Sequence, residues 1–489
     1  MIQLKSVVQQ LSPKDFQIIE EQFQKSKANK YLCLFNQLRE SELSEEEILG
    51  QLTQNKAAYY TLKSRLYDKI QDFLLSNSTD KKVGLIRNVA NIEKILFSSP
   101  KISAIASLIK MEKKLIEYNM TRELILVYKA LRKLHLCTPK YYEFSKLYNK
   151  CVAHIITLEK AHDLLSRFTK TTGEYLISRD QDDLEVLTFM QQEMDELSDH
   201  HHSHHQTIYR NIMFISYQIY TGISEINEKK YPIPVLLEQS ENILSQNSEE
   251  ASYRHLRPVF DFLAFEYYHK LNDEQNALHY FDRVNSMLGT FLLADHCCLS
   301  AHFLISKVER YSKQGLMRTL VSEDQLLTTP ISDADEASYI FYVLYKASIL
   351  FYSAEYTESI HLMEDLLQKL NFTKRLHAEI EVKFLLALSY RLEGKVDQSF
   401  LLLKSLARKI KLRKNKEYPQ ARYFMAFVRA GQKGDFQNLE KKLRQQMDSF
   451  AARNKGNYRV LGILNMDEEF IHNYATRLLK VSKNTKTAT

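Results

Sequence analysis

The sequence predicts an all-α chain: a solenoid of stacked helical hairpins with a period near 40 residues, behind an N-terminal helical cap. Three observations carry this. Written with a 40-residue offset, Tyr356, Val396 and Phe436 fall in one column, Ser359, Ser399 and Leu439 in a second, and Met363, Leu403 and Leu443 in a third. Glycine (11) and proline (8) are scarce in 489 residues, which removes the punctuation that strands and tight β-hairpins need. Apolar residues recur at three- and four-residue steps through most of the chain, the spacing of one helix face.

Residues 1–80 read as a helical bundle or cap. Ser12 is a predicted N-cap with Pro13 in the first turn and Phe16, Ile19 and Phe23 following at helical spacing. Ser44 and Glu47 form a capping-box pattern before Ile48 and Leu52. After Gln54-Asn55 a longer helix carries Leu62, Leu66, Ile70 and Leu74. The last two helices can also be read as a helix-turn-helix, with Lys56, Lys63 and Arg65 for phosphates and Tyr59 or Tyr60 for base edges. A capping bundle with a solvated basic face explains the same residues.

Residues 81–250 read as irregular helical hairpins, with segments near 88–98, 102–117, 121–135, 139–178 and 181–198 and turns at Pro100 and Pro139. Clustered imidazoles in Asp199-His200-His201-His202-Ser203-His204-His205 could capture a metal, but a specific site needs ligands fixed on different elements. The plainer expectation is a solvated loop joining two helices, with no metal. Beyond it, Ile208 to Ile223 forms an aromatic-rich helix whose rings are expected in the core, and Pro232 and Pro234 open the next.

Residues 251–455 carry the repeats. In each unit a helix-period segment, a short polar break (Ser353-Ala354-Glu355, Glu393-Gly394-Lys395, Gly431-Gln432-Lys433-Gly434) and a second segment follow one another. Ala277, Thr319, Ser359, Ser399 and Leu439 mark five second helices spaced by 42, 40, 40 and 40 residues when Ala277 is taken as the start. One such hairpin cannot bury its apolar face alone, so neighbours must stack.

The segment Ala387-Leu388-Ser389-Tyr390, Glu393-Gly394-Lys395-Val396, Ser399-Phe400, Leu403 and Leu406-Ala407 resembles a tetratricopeptide repeat (TPR): a small residue in the first helix, Tyr three later, Gly at the turn, then a small residue and a bulky one four further on. Ala347 with Ser359-Ile360, and Ala277-Leu278 with Phe281, occupy matching places. The chain departs from the family in lacking Trp in the first helix and Pro closing the second, and its period exceeds the family's roughly 34. The resemblance, over about residues 250 to 452, implies a right-handed superhelix with a concave groove that binds peptides or protein segments. Some members hold a C-terminal carboxylate with Lys and Asn; here Leu344, Ser348, Phe384 and Leu388 stand at those steps, so that clamp is absent.

Arg408, Lys409, Lys411, Arg413 and Lys414, with Lys404 and Lys416 beside them, form the densest charge run, a possible patch for an acidic partner or a set of cations complementing a helix C-terminus. Residues 456–489 read as a terminal helix, Asp467 to Leu479, and a disordered tail from Ser482.

A net charge of +7 on so long a chain supports nucleic-acid or membrane-surface binding only weakly. Five cysteines without CxxC spacing and an opening MIQLKSVVQQL without a secretory pattern predict a reducing cytoplasm. The longest apolar run, Tyr339 to Tyr352, contains Lys346 and is too short to span a bilayer. No glycine-rich phosphate loop, HExxH or GxSxG occurs. The expectation is a non-catalytic, cofactor-free scaffold or adaptor that binds a protein or peptide segment in its groove, with a peptide-sensing transcriptional regulator as the alternative.

Overall fold

The computed structural model describes residues 4, 7–8, 11, 13–26, 28–40, 56–76, 81–200, 203–226, 229–248, 251–292, 297–324, 335–412, 417–430 and 438–487. Among these the chain is helical apart from turns and one two-residue antiparallel pair, Glu225–Ile226 with Lys229–Lys230. It divides into two compact units, Met1–Ile155 and Ile156–Thr489. Ser12, Ser44, Glu47, the Gln54-Asn55 break, Gly431 to Gly434 and Phe436 lie outside the described residues.

The first unit holds helices α1 (Pro13–Lys25), α2 (Asn29–Glu40), α3 (Lys56–Ser76), α4 (Lys81–Ala90), α5 (Ile92–Ser98), α6 (Lys101–Glu117) and α7 (Thr121–Leu134), and α8 (Lys140–Ser178) begins in it. It buries two separate apolar clusters. One joins Ile19 and Phe23 of α1, Leu34, Phe35 and Leu38 of α2, and Tyr59, Leu66, Ile70 and Phe73 of α3. The other joins Leu85, Val89, Leu108, Met111, Leu115, Leu124, Val127 and Leu131 of α4, α6 and α7.

The second unit continues α8 and adds α9 (Gln181–His200), α10 (His204–Thr221), α11 (Ile233–Gln246), α12 (Ala251–Arg254), α13 (Arg257–Lys270), α14 (Glu274–Ser286), α15 (Leu288–Leu292), α16 (Cys297–Lys313), α17 (Met317–Asp324), α18 (Glu336–Tyr352), α19 (Tyr356–Lys369), α20 (Leu376–Glu393), α21 (Val396–Leu412), α22 (Ala421–Arg429), α23 (Leu439–Arg453) and α24 (Glu468–Thr487). Most helices pack on their neighbours in sequence: α13 on α14, then α18, α19, α20 and α21 in succession, then α22, α23 and α24. A single apolar core runs through this unit.

One turn geometry builds its hairpins. Asn272 (φ 57°), Gly315 (70°), Ala354 (62°) and Gly394 (88°) each adopt the left-handed conformation. The next residue's N–H donates to the carbonyl five positions back: Asp273 to Tyr268 at 3.0 Å, Leu316 to Tyr311 at 2.9 Å, Glu355 to Leu350 at 2.9 Å and Lys395 to Tyr390 at 2.8 Å. This is the Schellman closure of a helix end, and the same residue starts the second helix by accepting from the N–H four further on. Those four acceptances, from Ala277, Leu320, Ser359 and Ser399, identify the register column by geometry. In the first unit Asn119 (φ 53°) makes the same turn between α6 and α7, with Met120 N–H on the Leu115 carbonyl at 2.8 Å.

Two register assignments change. Thr319 is exposed and Leu320 takes the buried position, because Gly315 starts α17 one residue later than a strict period places it. Leu439 is buried, but the 0, 4, 7 spacing of Ser359, Met363 and Leu366 is carried in α23 by Leu443, Met447 and Phe450, one turn further on.

The expected His-rich loop is shorter than the sequence suggests. Helix α9 runs to His200, and Ser203 caps α10 by accepting from Gln206 N–H at 3.2 Å. His201 and His202 lie outside the described residues. At the other end α24 continues through Thr487, past Ser482 where the sequence places a disordered tail, since no glycine or proline interrupts it.

Candidate functional site

The predicted packing residues occupy the seams between the two helices of each hairpin. Ala277, Phe281, Ala347, Ser359, Met363, Ala387, Tyr390, Ser399 and Leu403 are buried. Tyr356 is half-buried, its ring 5.5 Å from that of Phe351 and under the Arg477 guanidinium at 4.5 Å. In two hairpins a buried hydroxyl joins the helices: Ser359 Oγ donates to the Ala347 carbonyl at 3.0 Å, and Ser399 Oγ to the Ala387 carbonyl at 2.9 Å. Alanine on the first helix brings the backbone within reach, which explains the small-residue columns. Each fully buried Met363, Leu366, Leu403 or Leu406 contributes roughly 1.5–3 kcal/mol of apolar burial.

The basic run divides. Lys404, Arg408 and Lys411 are exposed, whereas Lys409 is bound within the fold to Glu379, which Lys383 also engages at 2.7 Å. Arg413, Lys414 and Lys416 lie outside the described residues. In α3, Tyr59 is buried, leaving Tyr60 at 41% exposure and the exposed Arg65 as the outward residues among those of the alternative helix-turn-helix reading; Lys63 is half-buried, and the Lys56 side chain is not described. His205 Nδ1 stands 2.9 Å from the Tyr253 hydroxyl, so it is a packing residue of α10. Among the described residues no group of three His, Cys, Asp or Glu side chains could hold a metal ion, and no helix is long and apolar enough to cross a membrane.

Sequence reasoning missed the chain's own segment from Asn454 to Met466. Between α23 and α24 it runs in a mostly irregular path, with a 3-10 turn at Gly456–Tyr458 and a left-handed Leu461 (φ 57°). Val460, Leu461 and Ile463 are buried to 1% exposure or less. Asn454 fixes Val460 from both sides, accepting its N–H at 2.8 Å and donating to its carbonyl at 2.7 Å. Side chains of α18 and α20 read its backbone. Glu381 accepts from Leu461 N–H at 2.8 Å, and the Tyr352 hydroxyl donates to the Ile463 carbonyl at 3.2 Å while accepting from Asn465 N–H at 2.9 Å. Gln420 donates to the Tyr458 carbonyl at 2.7 Å, and Asn457 donates to the Thr221 carbonyl of α10 at 3.2 Å. A Cβ at Gly462 would lie 2.8 Å from a Glu309 carboxylate oxygen, so the end of that side chain would have to shift to admit one.

Beneath this strap lies a cavity of about 220 Å³. Its walls come from the end of α8, from α10, α13, α16, α18 and α20, and from the strap. Its lining is mixed: Ile177, Ile305, Ile340, Phe341 and Leu344 are apolar, and Arg179, Tyr220, Glu266, Lys270, His302, Glu309, His377 and Glu381 are polar or charged.

Several of these are engaged. Burial alone would raise the Glu309 carboxyl, but His269 at 3.9 Å, Arg459, and Lys313 at 2.8 Å hold it well below the usual carboxylate range. Ser306 donates to Glu266 at 2.6 Å, and Lys270 donates to the Ile219 carbonyl. Burial pushes Glu381 up to about 7 despite the Leu461 N–H and Arg459. Burial, with Arg179 nearby, keeps His377 neutral beside the Tyr418 hydroxyl at 3.1 Å. Three groups are not engaged: Arg179 Nε, the Tyr220 hydroxyl and His302 Nδ1 are buried without a hydrogen-bond partner among the described residues.

A signal for this site exists in the sequence. Glu266 and Glu381 interrupt the apolar first helices Phe260 to Tyr268 and Ile380 to Tyr390, where the other charges are Asp261 and Lys383, and a charge on such a face needs a reason. Compared with protein-family models, curated proteins and solved structures, the chain has no match.

Proposed function

We propose that the second unit is the binding part of a non-catalytic scaffold or adaptor: a right-handed superhelical, TPR-like solenoid whose first-helix face holds an extended peptide or protein segment. The observation that supports this is the strap. Tyr352, Glu381 and Gln420 hydrogen-bond to the backbone of residues 458–465 while Val460, Leu461 and Ile463 fill apolar pockets, which is how a groove holds an extended ligand. The repeated hairpin turn and the seams at Ala347/Ser359 and Ala387/Ser399 support the TPR-like part of the reading.

The test uses the full chain with the strap loosened by Val460→Asp and Ile463→Asp, and a fluorescent peptide of residues 455–467. A tethered segment competes at an effective concentration on the order of millimolar, so the loosened variant should bind the peptide at least about tenfold more tightly than the unaltered chain. A variant that keeps its helical circular dichroism yet shows no saturable binding of the peptide overturns the proposal.

A further inference from the structure

We propose that the cavity beneath the strap is a binding site for a small organic carboxylate with an apolar body, the carboxylate held by Arg179, Tyr220 and His302. This does not rest on the peptide-binding reading, since the cavity is walled within the fold whether or not the outer face takes a partner.

Size is the first argument. A cavity of about 150 Å³ lined by apolar side chains accommodates benzene. At about 220 Å³ this one has room for a similar body and one carboxylate more. Chemistry is the second. Tyr220 is only 5% exposed, and its hydroxyl, like Arg179 Nε and His302 Nδ1, has no partner among the described residues. The Tyr220 and His302 rings meet at 5.4 Å, edge to face, and both residues line the cavity. Leaving such buried groups without a partner is costly, and a ligand bearing acceptor oxygens would supply one.

Charge is the third. Glu309 is neutralised by Arg459 and Lys313, and Glu266 lies close to Lys270. Glu381, pushed up to about 7, is only partly charged at neutral pH. Among the described residues Arg179 has no carboxylate in salt-bridge contact; its guanidinium lies over the Tyr175 ring at 5.3 Å. Burial does not discharge a guanidinium, and its planar fork matches a carboxylate. Residue 179 is also left-handed (φ 57°), which turns the chain at the end of α8, where this side chain joins the cavity wall. Ile340, Phe341 and Leu344 of α18 supply apolar lining, the Phe341 ring lying 5.3 Å from that of His302.

The experiment is calorimetric titration and thermal melting of the full chain with 4-methylpentanoate, benzoate, leucine and 4-methylpentanamide, and with short peptides ending in leucine as free acid or amide. At least one acid should bind saturably and raise the melting temperature, with the neutral amide at least about tenfold weaker because it leaves the guanidinium unmatched. Arg179→Gln should remove that preference while the chain stays folded, and Tyr220→Phe should weaken the acid several-fold. Leucine or a free-acid peptide binding better than 4-methylpentanoate would identify the carboxylate's source as an amino acid or a peptide end. No binding of any acid at millimolar concentration, equal binding of acid and amide, or a folded Arg179→Gln variant that binds as before would show a cavity that holds only water and overturn the proposal. Failure here leaves trans-binding of the 455–467 peptide unaffected, so the two readings fail separately.

Discussion

The second unit buries polar groups in two different ways. In the seams every 40 residues, Ser359 and Ser399 are fully buried and each donates to a carbonyl of the facing helix. Ion pairs also join the helices, and buried atoms without a hydrogen bond among the described residues occur away from the cavity too, at Asp261 Oδ2 and the Tyr345 and Tyr474 hydroxyls. Lys307 at 1% exposure donates to Asn285 at 2.7 Å and pairs with Glu323, Arg310 reaches Glu274 at 2.6 Å, and Arg283 reaches Asp261 at 3.0 Å. Around the cavity, Arg179, Tyr220 and His302 keep unmatched polar atoms. A satisfied buried group fixes register, whereas an unsatisfied one destabilises the fold and persists where it serves something else. Ser359 and Ser399 join helices, whereas the unmatched atoms of Arg179, Tyr220 and His302 belong to residues that line a cavity.

The largest effect that would break this comparison lies in the seam. Leu403→Ala removes a fully buried side chain and should lose about 2–5 kcal/mol in denaturant unfolding. A loss below about 1 kcal/mol would mean that α20 and α21 are not packed as described.

Next comes the cavity wall, through pH. The Glu381 carboxyl titrates near 7 in the fold against an ordinary value of 4.5. Between those values the folded chain keeps a proton that the unfolded chain releases, so this residue makes stability fall as pH rises from about 4.5 to 7, with no further change above. A glutamine in its place would keep an oxygen for Leu461 N–H but cannot ionise. Glu381→Gln should therefore gain on the unaltered chain by about 1–3 kcal/mol across that window, and a difference that stays flat from pH 4 to pH 8 would contradict the assigned burial. Smaller again is Ser399→Ala, which deletes one buried hydrogen bond and should lose about 1 kcal/mol. No measurable loss would mean that this hydroxyl does not bridge α20 and α21.

The two regions also differed in how far the sequence disclosed them. Hairpin seams are local: Ala387 and Ser399 are 12 residues apart, Gly394 lies between them, and a period of 40 repeats the arrangement at Ala347, Ala354 and Ser359. Helix spacing therefore exposed α8, α18 and α20 almost to their ends. A strict period failed at Thr319, because the turn residue Gly315 and not the count sets the register there. The cavity is non-local. Arg179, His302 and Glu381 are more than 70 residues apart from one another and meet only through stacking, and the strap from Asn454 contacts Thr221 across 236 residues. No periodicity encodes such a meeting; its trace was a carboxylate set in each of two apolar helices, Glu266 and Glu381.

The smallest effect is the most diagnostic, because its sign carries the answer. Ala354 and Gly394 sit at the same place in successive turns, both left-handed, and both are followed by the same closing hydrogen bond. A Cβ in that conformation costs about 1 kcal/mol, partly offset because glycine is freer in the unfolded chain by about 0.4–1 kcal/mol. Ala354→Gly should therefore stabilise by a few tenths of a kcal/mol, up to about 0.5, and Gly394→Ala should destabilise by a similar or somewhat larger amount. Were residue 354 in a continuous helix, the first change would instead destabilise by about 1 kcal/mol. Denaturant unfolding of the two variants, with unchanged slope, reads both signs. Opposite signs at the two positions place the same turn at both, and a loss at both would show that the hairpin between α18 and α19 is not closed as its neighbour is.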